Sequence, residues 1–307
     1  MIEVEQLTKR YGRFVALHAI SFSAQGNEIL GFLGPNGAGK TTTMRILTGY
    51  MPPTSGQARV AGFDVFEDSL QVRRNVGYLP ETVQLYADMT VRGFLRFVAN
   101  LREVEHANQR VEDVLVMVGM QNRARSLIRS LSKGMRQRVG LAQAIVHDPP
   151  VLILDEPTIG LDPHQVQDLR NLIRDLGQTR TVMLSTHILS EAEQICDRVA
   201  IIDRGEIVAQ DTPNRLQDRL RIGGRLFVRV GGRAQPDDVV RILKSVGGVE
   251  RVEPYRDGHL VSTTHNADVR AALAATLVNQ GLDLLELRPW AITLEEIFLE
   301  LTTRLGT

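Results

Sequence analysis

Two kinds of apolar spacing alternate through the first two thirds of the chain. Short unbroken apolar runs, clearest at residues 28–33, 151–155, 181–185 and 199–203, have the length and composition of strands buried on both faces. Between and after them, apolar residues recur at helical spacing, as at residues 163–177 and 189–196. Buried strands alternating with helices predict an α/β domain with a mainly parallel sheet over residues 1–217.

Beyond that point the units shorten. The stretch RLRIGGR at 219–225 is charged and carries glycines, and residues 218–224 read as a linker. RLFVRV, VERVEP, HLVSTT and LDLLELRP then read as strands, with PDDVVRILKSV and NADVRAALAATLVNQG as helices. The order βαββαβ predicts a small α+β domain of ferredoxin-like arrangement over residues 225–307. A closing helix, TLEEIFLELTTRL, sets Leu294, Ile297, Phe298 and Leu301 on one face. This domain holds no catalytic constellation. His259 and His265 are too isolated to suggest a metal site. An apolar terminal face without polar pocket residues points to bracing or dimer contact, ahead of binding a small regulator.

Composition narrows the classes. The 307 residues are 43% hydrophobic and 23% charged, with 36 basic and 36 acidic side chains. That is an ordinary globular composition, and no charge excess argues for nucleic acid or an anionic membrane. Cys196 is the lone cysteine, which excludes an internal disulfide and fits a reducing compartment. The N-terminus MIEVEQLTKRYG has acids where a leader would be basic, and no apolar stretch reaches the 18 or so residues of a membrane span. A soluble chain is expected, held at any membrane by something else.

Three glycines and an asparagine in GPNGAGKTT make no sense as core. The octet from Gly34 to Thr41 has the phosphate-loop spacing, placed after a strand and opening a helix. Gly34, Pro35, Asn36, Gly37, Ala38 and Gly39 form a loop whose amides are free to face an anion, and a helix N-terminus adds partial positive charge. Lys40 has the reach for the β- and γ-phosphates, and the Thr41 hydroxyl for Mg²⁺, with Thr42 beside it. A glycine-rich turn of no function is the bland alternative. VLILDEPT at 151–158 is a strand ending in two acids. Either they are a solvated strand end, or Asp155 holds the metal through water and Glu156 orients or deprotonates an attacking water.

Three further stretches resemble one family. LSKGMRQR at 131–138 resembles the signature of ABC transporter nucleotide-binding subunits, TIGLD at 158–162 their D-loop, and STH at 185–187 their histidine switch. The resemblance spans residues 1 to about 217. It implies a P-loop ABC cassette with a mainly parallel sheet and a helical subdomain, ATP as substrate, Mg²⁺, and ATP hydrolysis. It implies that Tyr11 stacks on adenine, that His187 closes on the γ-phosphate, and that Ser132 and Gly134 cover the nucleotide of a second copy or a paralogous subunit. Integral membrane permease subunits are the implied partners, met at the cytoplasmic face of the inner membrane, and transported cargo is not expected to touch this chain.

Three positions depart from the family pattern. Lys133 and Met135 stand where the signature has a glycine and a glutamine; Lys133 either adds charge near a phosphate or faces solvent, and solvent is the favoured reading. Glu81, in GYLPET, takes the place of the Q-loop glutamine. Its carboxylate can still ligate Mg²⁺ through water or accept from the attacking water, but it has no amide to donate. GYLPE and the terminal TLEEIFLELT resemble members that serve exporters. Residues 81–101 are expected to receive the membrane partner, the alternative being a helix packed only on its own domain. A soluble ABC ATPase acting on ribosomes or DNA is the rival function. Such proteins usually carry two cassettes or a long coiled-coil insertion, and this sequence has neither.

Overall fold

The computed structural model describes residues 1–220, 224–231, 235–264 and 268–290. Contacts divide the chain after Pro213 into two compact units. In the first unit, β1 (Ile2–Tyr11) and β2 (Phe14–Ala24) form a hairpin and β3 (Ile29–Leu33) leads into helix α1 (Lys40–Leu47). Next come β4 (Ser55–Val60), β5 (Phe63–Asp64), α2 (Ser69–Asn75) and β6 (Val76–Leu79). Helices α3 (Val91–Leu101), α4 (Ala107–Met117) and α5 (Lys133–Ile145) pack on one another. The unit closes with β7 (Val151–Asp155), α6 (Pro163–Gly177), β8 (Thr181–Thr186), α7 (Leu189–Ile195), β9 (Arg198–Asp203) and β10 (Glu206–Asp211).

All four strands expected from unbroken apolar runs are present, and they sit together in a six-stranded sheet of order β10-β9-β3-β8-β7-β6. Every residue of β3, β7 and β8 is buried, as strands covered on both faces must be. Only β10 runs antiparallel to its neighbour. The helix at 163–177 matches its expected limits: the Asp162 carboxylate accepts the Gln165 amide at 2.9 Å and Pro163 opens the first turn.

The apolar runs do not predict the second sheet, β2-β1-β4-β5, which is antiparallel. Its long strands alternate buried and exposed positions because one face alone meets the core, so they leave no continuous run. α1 packs against β2, β4 and β7, and so bridges the two sheets through Met44, Ile46 and Leu47. Gly31 of β3 lies where a Cβ would stand 2.8 Å from the Cys196 Sγ, so the lone cysteine fills space left by a glycine. Burial pushes its thiol pKa upward, reinforced by Asp197 and Glu191.

His147, in the turn after α5, donates from Nε2 to the Val76 carbonyl at 3.2 Å, and its Nδ1 is buried without a partner among the described residues. Burial, reinforced by the neighbouring Arg102, lowers its pKa from 6.5 to about 4. The folded chain therefore carries this ring neutral, while the unfolded chain protonates it below pH 6.5. Stability from this site is complete above pH 6.5 and is lost as pH falls towards 4. Allowing for solvent screening of a partly exposed ring, about 1–2 kcal/mol is at stake. Urea unfolding of His147→Gln should lose that much less than wild type between pH 7 and pH 4.5.

The second unit contains α8 (Pro213–Leu220), running from the unit boundary through part of the stretch read as a linker. After it come β11 (Arg225–Gly231), α9 (Pro236–Lys244), β12 (Val249–Tyr255), β13 (Gly258–Thr263), α10 (Arg270–Asn279) and β14 (Asp283–Pro289). This is the expected βαββαβ order, in an antiparallel sheet β12-β13-β11-β14. Leu226, Val228 and Val261 meet Val239, Leu243, Leu273 and Leu277 of the helices. The expected closing helix at 293–305 and His265 lie outside the described residues.

Candidate active site

The C-terminal ends of parallel strands lie along one edge of their sheet, which is where α/β folds place ligands. Here β3 delivers the loop 34–39, β7 delivers Asp155 and Glu156, and β8, paired to both, delivers Ser185 and His187. Gly34 and Gly39 hold the loop's shape. A Cβ on Gly34 would stand 2.3 Å from the Ile202 carbonyl oxygen. Gly39 has φ 111° and caps α1, with Leu17 Cδ2 2.6 Å from where its Cβ would be. The protein's own packing thus demands these glycines, in addition to any need to leave room for a phosphate. Gly34→Ala should cost about 1–3 kcal/mol by displacing β9 backbone, read as a lower melting temperature without nucleotide.

Lys40 is buried, 6% exposed, and its ammonium folds back onto the loop. It donates to the Gly34 carbonyl at 2.7 Å and to the Pro35 carbonyl at 3.3 Å, and lies 3.4 Å from Glu156 Oε1. The other Glu156 oxygen accepts from His187 Nδ1 at 2.9 Å. The carboxylate is thus held between the two residues expected to serve the γ-phosphate. Glu156 has φ 49°, a left-handed conformation that costs a non-glycine residue roughly 1–2 kcal/mol and that the site maintains.

Asp155, 1% exposed, accepts a 2.6 Å hydrogen bond from the Ser185 hydroxyl. Asp155, Thr41 and Glu81 line one cavity of about 510 Å³, together with Arg45 and Tyr78. Burial raises the Tyr78 pKa to about 12, with Asp155 adding to the rise, so its hydroxyl stays protonated. Tyr11 ends β1, is 47% exposed, and bonds through its hydroxyl to Met51 Sδ at 3.1 Å. Lys9 Nζ lies 5.4 Å from its ring centroid.

Ser132 caps α5 by accepting the Met135 amide at 3.3 Å, and Gly134 lies against the Gln165 side chain. Among the described residues, no hydrogen bond or ion pair joins Ser132 or Gly134 to Lys40, Asp155, Glu156 or His187. Lys133 is exposed, in keeping with the solvent reading, with its ammonium against Gly160. In residues 81–101, α3 buries Val91, Phe94, Leu95 and Val98, whereas Tyr86, Phe97 and Leu101 stay exposed.

Two groups of contacts escape a linear reading. Ser185 touches both strand-end acids, and the Glu191 carboxylate accepts from Thr158 Oγ1 at 2.6 Å while pairing with Arg170 at 3.1 Å. A serine at a strand end carries no signal until the register pairs it with Asp155.

A glycine loop with a buried lysine opening a helix, next to a strand ending in paired acids, defines a P-loop nucleotide-binding ATPase fold. Residues 17–159 match the family model described as ABC transporter. Along its whole length the chain is similar to the linearmycin resistance ATP-binding protein of Bacillus subtilis (32% identity over 99% of both chains). It is 34% identical to the bacitracin transport ATP-binding protein of Bacillus licheniformis, over 98% of this chain and 97% of that one. A solved structure of an ATP-binding subunit of an ABC transporter superposes with a TM-score of 0.66 at 30% identity, covering 72% of this chain and 93% of the other. The chain belongs to the ATP-binding proteins of ABC transporters. As such it binds and hydrolyses ATP, and powers transport by a separate membrane permease. No helix among the described residues is long and apolar enough to cross a membrane.

Proposed function

We propose that the chain drives an exporter from the cytoplasmic face of the inner membrane, paired with a second copy or a paralogous subunit and seated on integral membrane permease subunits. Similarity to relatives named for resistance, bacitracin transport and Nod factor export supports the direction. No nucleic acid and no direct contact with cargo are part of this function. Residues 1–217 act as the catalytic domain, 218–224 as linker, and 225–307 as an accessory domain for bracing or dimer contact. The exposed side chains of Tyr86, Phe97 and Leu101 offer the permease an apolar foothold.

The observation that carries the catalytic reading is the Lys40–Glu156–His187 cluster on the sheet edge that also holds Asp155. Loop amides from Gly34 to Thr42 and the Lys40 ammonium grip the phosphates, which requires Lys40 to leave Glu156 and the Gly34 carbonyl. Glu156 then takes the proton of the attacking water, and His187 turns towards the γ-phosphate. Tyr11, half exposed at the hairpin tip, supports adenine. Ser132 and Gly134 complete the site of the facing subunit. Thr41, Asp155 and Glu81 present oxygen donors to one cavity, a set that suits Mg²⁺, and they are the residues that would hold it. When bound, the ion neutralises phosphate charge.

ATP hydrolysis by the purified chain, together with copurification of a polytopic membrane protein from its native host, tests the proposal. Recovery of ribosomes in place of a membrane protein would support the soluble rival instead.

A further inference from the structure

Ser185 lies beneath both acids of the site with no exposed surface. Its hydroxyl donates to Asp155 Oδ1 at 2.6 Å, a length expected for a charge-assisted O–H···O⁻ bond. The same oxygen accepts the backbone N–H of Glu156 at 2.9 Å. One hydroxyl has one proton and two lone pairs, so it serves both partners at once. The position demands such a group. The ladder between β7 and β8 ends at the pair Asp155–Ser185, and the next residue, Glu156, has turned into left-handed backbone. Its amide points away from strand pairing in a buried place, where an orphaned N–H is costly.

We propose that Ser185 is the positioning residue of the acid pair. It fixes the rotamer of Asp155, so that one oxygen is occupied and the other is directed to metal or water, and it anchors the strained backbone from which Glu156 projects. His187 follows two residues later on the same strand end. The end of β8 therefore sets the base and its histidine partner relative to each other. This inference rests on the ATPase reading of the site and adds to it a residue that never touches nucleotide.

The test compares Ser185→Ala and Ser185→Thr with wild type. Three quantities are measured: binding of a fluorescent ATP analogue in EDTA, the same binding titrated with Mg²⁺, and steady-state turnover. Outer partners of metal-site ligands are typically worth 10- to 100-fold. Ser185→Ala should bind the analogue in EDTA as wild type does, need at least 10-fold more Mg²⁺ to tighten that binding, and lose 10- to 100-fold in turnover. Ser185→Thr, which keeps the hydroxyl, should recover most of both. The proposal is overturned if Ser185→Ala stays within twofold of wild type in Mg²⁺ requirement and turnover. It is also overturned if both variants lose EDTA binding in step with a lowered melting temperature, which is the behaviour of a packing residue. Failure of the wild type itself to bind the analogue would count against the ATPase reading, which separates the two failures.

Discussion

Glu156→Gln should lower steady-state ATP turnover by at least about 10²-fold, the usual worth of a positioned general base, while nucleotide binding persists. The structure supports both halves. Glu156 is 6% exposed at the sheet edge, and among the described residues its ion-pair partners are Lys40 and His187. An amide in its place cannot take a proton from water, so the chemical step fails. It also releases Lys40 from an ion pair that competes with phosphate, so affinity for ATP should not fall. ATP favours a closed dimer through contacts absent from the open one, and a variant that binds without turning over should accumulate in it. Size-exclusion chromatography with Mg²⁺ and ATP should show the dimer in Glu156→Gln and not in a turning-over wild type. Turnover within tenfold of wild type would remove Glu156 from the role of base.

Lys40→Ala should weaken ATP binding by about two decades in Kd, about 3 kcal/mol, the upper range for hydrogen bonds to a charged group. The ammonium sits 2.7 Å from the Gly34 carbonyl, at the centre of the loop that would hold the phosphates, and nothing else buried there is cationic among the described residues. The variant also leaves Glu156 with His187 as its remaining partner. Titration with labelled ATP measures the effect. An unchanged Kd would detach the lysine from the phosphates.

Chemistry that lives within a few consecutive residues was legible in the sequence. The phosphate loop was legible from its spacing between a strand and a helix, whereas the acids closing VLILDEPT left two readings open and the STH triplet was legible through the family resemblance. The buried parallel strands were legible for a similar reason, since covering both faces demands unbroken apolar runs. The antiparallel sheet was not, because strands with one wet face alternate and blur into loops.

What the linear order determined, then, was the reagent list: a lysine, two carboxylates, a histidine and a flexible anion-binding turn, each at the end of a strand or the start of a helix. The folded chain alone decided which of these meet. Lys40 and His187 reach the two oxygens of the same carboxylate, and Ser185 bonds to both acids. Such contacts depend on strand register and on which strand lies beside which. Those are set by burial summed over the whole sheet, a quantity that no short stretch of sequence contains.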